Sequence, residues 1–239
     1  FLGEFTSDRS VLLITEEGGK LVRTPKYGLR ENQQIRKATV RMDDNGNAQV
    51  DMITTYQGLH YDKLQFVLYE GNDDKKNWIH SSTGISNYNL KDFEMVNIKD
   101  EVPSAVVKIQ LEIPSYASRT GKRFYFSPNM INSSRSSYKS IEDRKTNVVN
   151  SYDLVYVDTV EYEFSSDYQM EFIPEPVHIE SPFGRYETRA EFIQGKLLYY
   201  RRLEVFSGEF PPDKYDDFIE FAEEVESKDK TKVVFTTKT

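Results

Sequence analysis

The chain has 239 residues, with 39 Asp and Glu against 31 Lys and Arg for a net charge of −8, and no cysteine. The missing cysteine excludes disulfides, thiolate metal sites and thiol catalysis together. Interspersed charge of net negative sign excludes the basic face that neutralises nucleic-acid phosphates, and no run approaches the ~18 apolar residues a spanning helix needs.

With 38% hydrophobic and 29% charged residues, the composition is that of an ordinary soluble globular chain. Tyr 16 and Phe 15 against Gly 12 and Pro 9 favour strands, because aromatic side chains fit a pleated, half-buried surface. The first strand pair is predicted where "VLLIT" and "KLVRT" flank Glu16-Glu17-Gly18-Gly19, a hairpin turning on its Gly-Gly pair. Residues 33–56 predict a second hairpin. Ile35, Ala38, Val40 and Met42 largely alternate with polar residues, and Val50, Met52 and Thr54 do the same after the turn. Asn45-Gly46 supplies the two positive-φ residues of a type I′ turn between them.

From Gly58 to Ser82 the period changes. Tyr61, Leu64, Val67 and Leu68 share a helical stripe, and a second short helix follows with Asn72 or Asp73 as its cap. From Asn89 the period returns to two in "NLKDFEMVNIK", "SAVVKIQLEIPSYAS" and "KRFYFSP", three antiparallel strands with a turn at Arg119-Thr120-Gly121. Residues 129–147 are polar and Ser-rich, and read as a loop at a subdomain seam. Strands resume in "YDLVYVDTVEYEF", "PVHIE", "GRYETRAEFIQ" and "KLLYYRRLEVFSGEF", the last two meeting at Gln194-Gly195. Pro211-Pro212 open a helix with Tyr215, Phe218, Ile219, Ala222 and Val225 on one face and acids in its first turn. "KVVFTT" is the last strand.

The expected architecture is therefore mainly β and antiparallel, sandwich-like, with one C-terminal amphipathic helix and short helices near 60–82. The organisation read from it has a hairpin linker at 1–28, a first β subdomain at 29–128, the loop at 129–147 and a second β subdomain at 148–239.

Sites with chemistry are scarce. Gly84-Ile85-Ser86-Asn87 lacks the second glycine of the G-x-S-x-G elbow that strains a serine nucleophile. His60, His80 and His178 show neither i, i+4 pairing nor an adjacent carboxylate motif, so no metal ligand is assigned. "DDNGN" at 43–47 has its glycine two positions too early for a calcium loop and is flanked by strands. The acids offer no singled-out pair for glycosidase chemistry. No catalytic residue and no cofactor are expected. Aromatics supply the one binding candidate: Phe93, Phe124, Tyr125, Phe126, Tyr199 and Tyr200 offer a stacking platform for a glycan or an extended peptide. The surface residues put forward are Tyr199, Tyr200, Tyr125 and Trp78. Against this, alternating aromatics in strands are ordinarily core and cross-strand pairs. Adjacent Tyr199 and Tyr200 must face opposite sides of one strand. Of Arg201-Arg202, one is expected outward and one bridging an acid.

"FLGEFTSDRSVLLITEEGGKLVRTPKY" resembles the junction in bacterial multidomain transglutaminase-like proteins, where it follows the last member of the core's Cys-His-Asp triad. "KATVRMDDNGNAQVDMITTYQGLHYDKLQ" and "PVHIESPFGRYETRAEFIQGKLLYYRRLEVFSGEFPPDKYDDFIEF" resemble the β-rich C-terminal domain of unknown function in the same proteins. The resemblance implies a non-catalytic region packed on, or positioning substrate for, an upstream catalytic core of the same polypeptide. It implies a periplasmic or cell-envelope location, and it transfers no catalytic residue, since no position here matches the triad. The alternative is a free-standing glycan- or peptide-binding β module.

Overall fold

The computed structural model describes residues 3–131, 138–164 and 168–237, so residues 132–137 of the expected seam loop lie outside the described residues. One helical turn, α1 (Gly3–Thr6), precedes strands β1 (Ser10–Thr15) and β2 (Gly18–Arg23), antiparallel from Ser10↔Arg23 to Thr15↔Gly18. The turn is Glu16-Glu17; Gly18 already pairs in the strand.

β3 (Gln33–Met42) and β4 (Ala48–Gln57) form the second hairpin. Its turn is longer than the two-residue type I′ expected from Asn45-Gly46, because the Asp43 side chain takes over the local hydrogen bonding. Asp43 Oδ1 accepts from the backbone N–H of Asn45 (2.8 Å) and of Asn47 (2.9 Å). The Gly46 N–H closes a turn on the Asp43 carbonyl, and within the loop only Gly46 takes a positive φ, 81°. That is a three-residue loop ending in a left-handed glycine.

α2 (Leu59–Asp62), a 3-10 turn (Val67–Tyr69) and α3 (Asn72–Thr83) follow. The predicted stripe is thus shared between two short helical turns: Tyr61 and Leu64 are buried, and Val67 and Leu68 pack against the same core. The cap of α3 is Gly71, one residue earlier than expected. β5 (Asn89–Ile98) and β6 (Ser104–Ile113) pair antiparallel, and the chain then leaves that sheet for β7 (Ser118–Thr120) and β8 (Arg123–Phe126). Next come β9 (Val148–Asn150), β10 (Leu154–Phe164), β11 (Tyr168–Phe172), β12 (Val177–Ser181), β13 (Gly184–Ile193), β14 (Lys196–Val205) and β15 (Gly208–Phe210). A 3-10 turn leads into α4 (Tyr215–Asp229), and β16 (Val233–Thr237) ends the fold. The strands β9 and β11 were not foreseen.

The protein is mainly β, with the C-terminal helix and short helices expected of it. Its large sheet has eight strands in the order β12-β13-β14-β10-β3-β4-β6-β5. Six of its pairings are antiparallel. The seventh, β10 beside β3 from Val155↔Gln33 to Phe164↔Met42, is parallel, which makes the sheet mixed. It joins strands from 29–128 to strands from 148–239. A smaller sheet, β11-β16-β8-β7, packs on the inner face of the large one. Phe126, Phe164 and Phe235 sit between them, with Phe164 and Phe235 rings 4.3 Å apart and Phe126 4.9 Å from Tyr162. A second cluster, Phe183, Tyr186, Phe221 and Val225, seats α4.

Candidate functional site

The aromatic residues put forward as a platform are not brought together. Tyr199 is buried in the main core, and its neighbour Tyr200 lies on the opposite, outer face of β14 under the Arg189 guanidinium (4.7 Å to the ring centre). Tyr125 is half-buried on the smaller sheet, facing away from the inward Phe124 and Phe126. Trp78 stands on α3, edge-on to Tyr56 at 5.7 Å and packed on the core. These positions occupy three elements on different layers, so they form no common stacking surface. The reason is the one strand alternation implies: every second aromatic in a two-layer fold is spent on the core.

Across the inner face of the large sheet runs a feature the sequence did not reveal. Register places Thr188, Arg201, Asp158, Arg36 and Thr54 side by side on β13, β14, β10, β3 and β4, and all five are buried. Arg36 Nη1 donates to Asp158 Oδ1 (3.0 Å), Arg201 Nη1 lies 3.5 Å from Asp158 Oδ2, and Arg36 Nε donates to Thr54 (3.3 Å). From the end of α4, Asp229 meets Arg201 in a two-point contact, Nε to Oδ1 at 2.6 Å and Nη2 to Oδ2 at 2.8 Å. The Tyr186 hydroxyl donates to the same Oδ1 (2.8 Å). Although burial works against the charged guanidinium, its bonds to Asp229 raise the Arg201 pKa. Two arginines and two aspartates balance in charge, and each carboxylate is engaged by a guanidinium. Such a row holds β13, β14, β10, β3, β4 and the end of α4 in place. Arg202 faces outward, as one of the two arginines was expected to, yet both bridge acids: Arg202 pairs with Glu204 and Arg201 with Asp229.

His60 on α2 is buried, its Nε2 has no hydrogen-bond partner, and its ring packs edge-on against Tyr156 at 4.8 Å. Burial, with Lys63 adding to it, lowers its pKa to about 4, so the ring is neutral at ordinary pH. Among the described residues no group of three or more His, Asp or Glu side chains is arranged to hold a metal.

The β1–β2 ribbon is the part of the surface that stands out. Leu12, Ile14 and Leu21 share one of its faces by register, and Ile14 is 82% and Leu21 74% exposed; Phe5 on α1 is 79% exposed. The ribbon's base is tied down by polar contacts. The Glu4 N–H donates to Asp62 on α2 (2.9 Å), Asp8 N–H to the Pro25 carbonyl (3.0 Å), and Arg9 N–H to Thr24 Oγ1 (2.8 Å). The Arg23 guanidinium bonds Asp8 at 2.5 Å and holds that carboxyl below its usual range. The ribbon thus has a fixed root and an apolar blade in water. Its strands were legible as β-prone runs, but their exposure was not, since apolar residues on both faces read like a buried pair.

Residues 122–235 match the family model described as a Domain of Unknown Function with solved-structure structure (DUF3858). This stretch of the chain is a DUF3858 domain. It opens in β8 and closes in β16, two strands hydrogen-bonded to each other from Phe126↔Val233 to Arg123↔Thr236. No curated protein matches the chain.

Proposed function

We propose that this chain is a non-catalytic accessory β module of a bacterial transglutaminase-like protein, docked through its β1–β2 ribbon on the catalytic domain of the same polypeptide, in the cell envelope. The exposed apolar face of Leu12, Ile14 and Leu21 carries the reading. A two-stranded ribbon is marginal in water by itself, and contiguous exposed apolar surface marks interaction sites. The resemblance of residues 1–27 to the junction beside a transglutaminase-like core names the partner. In this reading the two-layer body is a rigid support and the catalytic Cys, His and Asp belong to the partner domain.

Hydrogen exchange tests it. The ribbon amides Leu12 to Val22 should be protected when this chain is expressed with the adjoining catalytic domain and should exchange fast when it is expressed alone. Leu21→Glu should remove that protection without unfolding the body. A reading frame that encodes no Cys-His-Asp core, or ribbon amides that exchange equally in both proteins, overturns the proposal.

A further inference from the structure

A second surface feature lies at the root of the ribbon, away from its apolar tip. A cleft of about 550 Å³ opens between the ribbon base, with Arg9, Lys26 and Tyr27, and the segments around the paired strands β9 and β15, with Asn150, Tyr152 and Asp153. Its size falls in the range of small-molecule sites.

The cleft is built rather than incidental. Asn32, fully buried, donates from Nδ2 to the Tyr27 carbonyl on one wall (3.1 Å) and to the Asp153 carbonyl on the other (2.9 Å). Its Oδ1 accepts from the Leu59 N–H (3.1 Å). One side chain therefore fixes the spacing of both walls. Asp153 Oδ1 accepts from the Ser207 N–H (2.6 Å) and Asn150 Nδ2 donates to the Phe206 carbonyl (3.2 Å), which sets the far side.

The lining selects the ligand by elimination. Val149 is its one aliphatic side chain, so an apolar ligand or an acyl chain finds little to bury against. Asp8, Asp153 and Glu209 outnumber Arg9 and Lys26 in the lining, and Asp8 is itself paired with Arg23, so the cleft lacks the positive field that a phosphate or nucleotide needs. β9 and β15 are three residues each, too short to extend by a peptide strand. What remains is a mixture of hydroxyls, the Asn150 amide, the carboxylates of Asp8, Asp153 and Glu209 as acceptors and the cations of Arg9 and Lys26 as donors, bordered by two tyrosines. A sugar suits that mixture: each hydroxyl of a pyranose both donates and accepts, and its C–H face packs on aromatic rings.

We propose that this cleft binds a neutral oligosaccharide through Tyr27, Tyr152, Asn150, Asp153 and Lys26. The site is independent of the docking surface proposed for the ribbon, because it uses the ribbon's root and not Leu12, Ile14 or Leu21.

Titration calorimetry of the full chain with cellobiose, chitobiose, maltose and mannobiose, each alone, tests it; inorganic phosphate and triglycine serve as comparators. At least one disaccharide should bind, and Tyr152→Ala and Asp153→Asn should each weaken it by about tenfold or more. The asparagine can still accept from the Ser207 N–H, so that variant keeps the local fold, and exposed Lys26→Gln supplies a third reading with no structural cost. Lack of binding by all four disaccharides overturns the assignment. So does binding that both Asp153→Asn and Lys26→Gln leave unchanged, or displacement of the sugar by phosphate or triglycine.

Discussion

Arg201 and Asp229 are joined by two hydrogen bonds, 2.6 and 2.8 Å, with side chains 1% and 0% exposed. The bond ties the last residue of α4 to the middle of β14. The Asp229 backbone carbonyl is also held, by Ser127 Oγ at 3.1 Å. The C-terminal helix, the large sheet and the segment after β8 therefore converge on one residue.

Removing one partner of such a pair leaves a charge without compensation in a dry site. Asp229→Ala is expected to cost ~3–5 kcal/mol of folding stability, because Arg201 loses its two-point carboxylate partner while Asp158 stays at 3.5 Å and is shared with Arg36. Replacing both charges, as in Arg201→Met with Asp229→Leu, should cost clearly less than the sum of the two single changes, since Arg36 and Asp158 still pair with each other. Urea denaturation of the three variants measures this. Simple additivity would show that the pair is not coupled.

How much of this was legible depends on the range of the interaction. Local periodicity located most strands, the long hairpin at Gln194-Gly195 and the amphipathic α4. Both turn residues there take positive φ, 52° and 80°, as the two-residue turn requires. The parallel pairing of β10 with β3 was not legible, because a strand alternates in the same way whichever direction its neighbour runs. Asp158 was an acid at an inward position of an apolar strand, an anomaly visible in "VYVDTVEY". Its partner Arg36 lies 122 residues away, and nothing local points there. The aromatics put forward lie apart for the complementary reason: Tyr199, which is buried, and Tyr125, which is half-buried and faces away from the core, carry the same local pattern.

Two glycines separate backbone strain from crowding. Gly46 and Gly195 both take a φ near 80°, but a Cβ on Gly46 would lie 2.7 Å from the Ala117 carbonyl, whereas one on Gly195 would meet open space. Gly195→Ala is expected to cost ~1 kcal/mol from conformation alone. Gly46→Ala should cost roughly 2 kcal/mol or more, because the backbone at Ala117, between β6 and β7, must also move. Thermal denaturation of the two variants side by side tests the ranking, and equal losses would refute the crowding at Gly46.

The ribbon and the core should respond in opposite ways to polar or truncating changes. Ile14→Asp and Leu21→Glu replace side chains already in water, so the isolated chain should keep its stability within ~0.5 kcal/mol. Phe235→Ala empties the space between the two sheets, where Phe126, Phe164 and Phe192 surround it, and should cost ~3–5 kcal/mol. Denaturation midpoints decide the matter. A large loss at Leu21 would mean that the ribbon is part of the body's core and not a free face.

His60 gives the fold a predictable response to acid. Its unfolded-state pKa is 6.5 and its folded-state pKa about 4, because charging it would bury an ammonium-like ring against Tyr156 with Nε2 unpartnered. Between those two values the unfolded chain binds the proton and the folded chain does not, so stability rises with pH across that window. The contribution is fully present above about pH 6.5, is lost progressively as the pH falls toward 4, and does not change further below that. Its size is roughly 3 kcal/mol at most. His60→Phe keeps a ring against Tyr156 and removes the titrating group. Urea midpoints taken from pH 7.5 to 4 should fall for the parent chain and fall much less for this variant. Parallel curves for the two would mean that His60 is not the group that titrates.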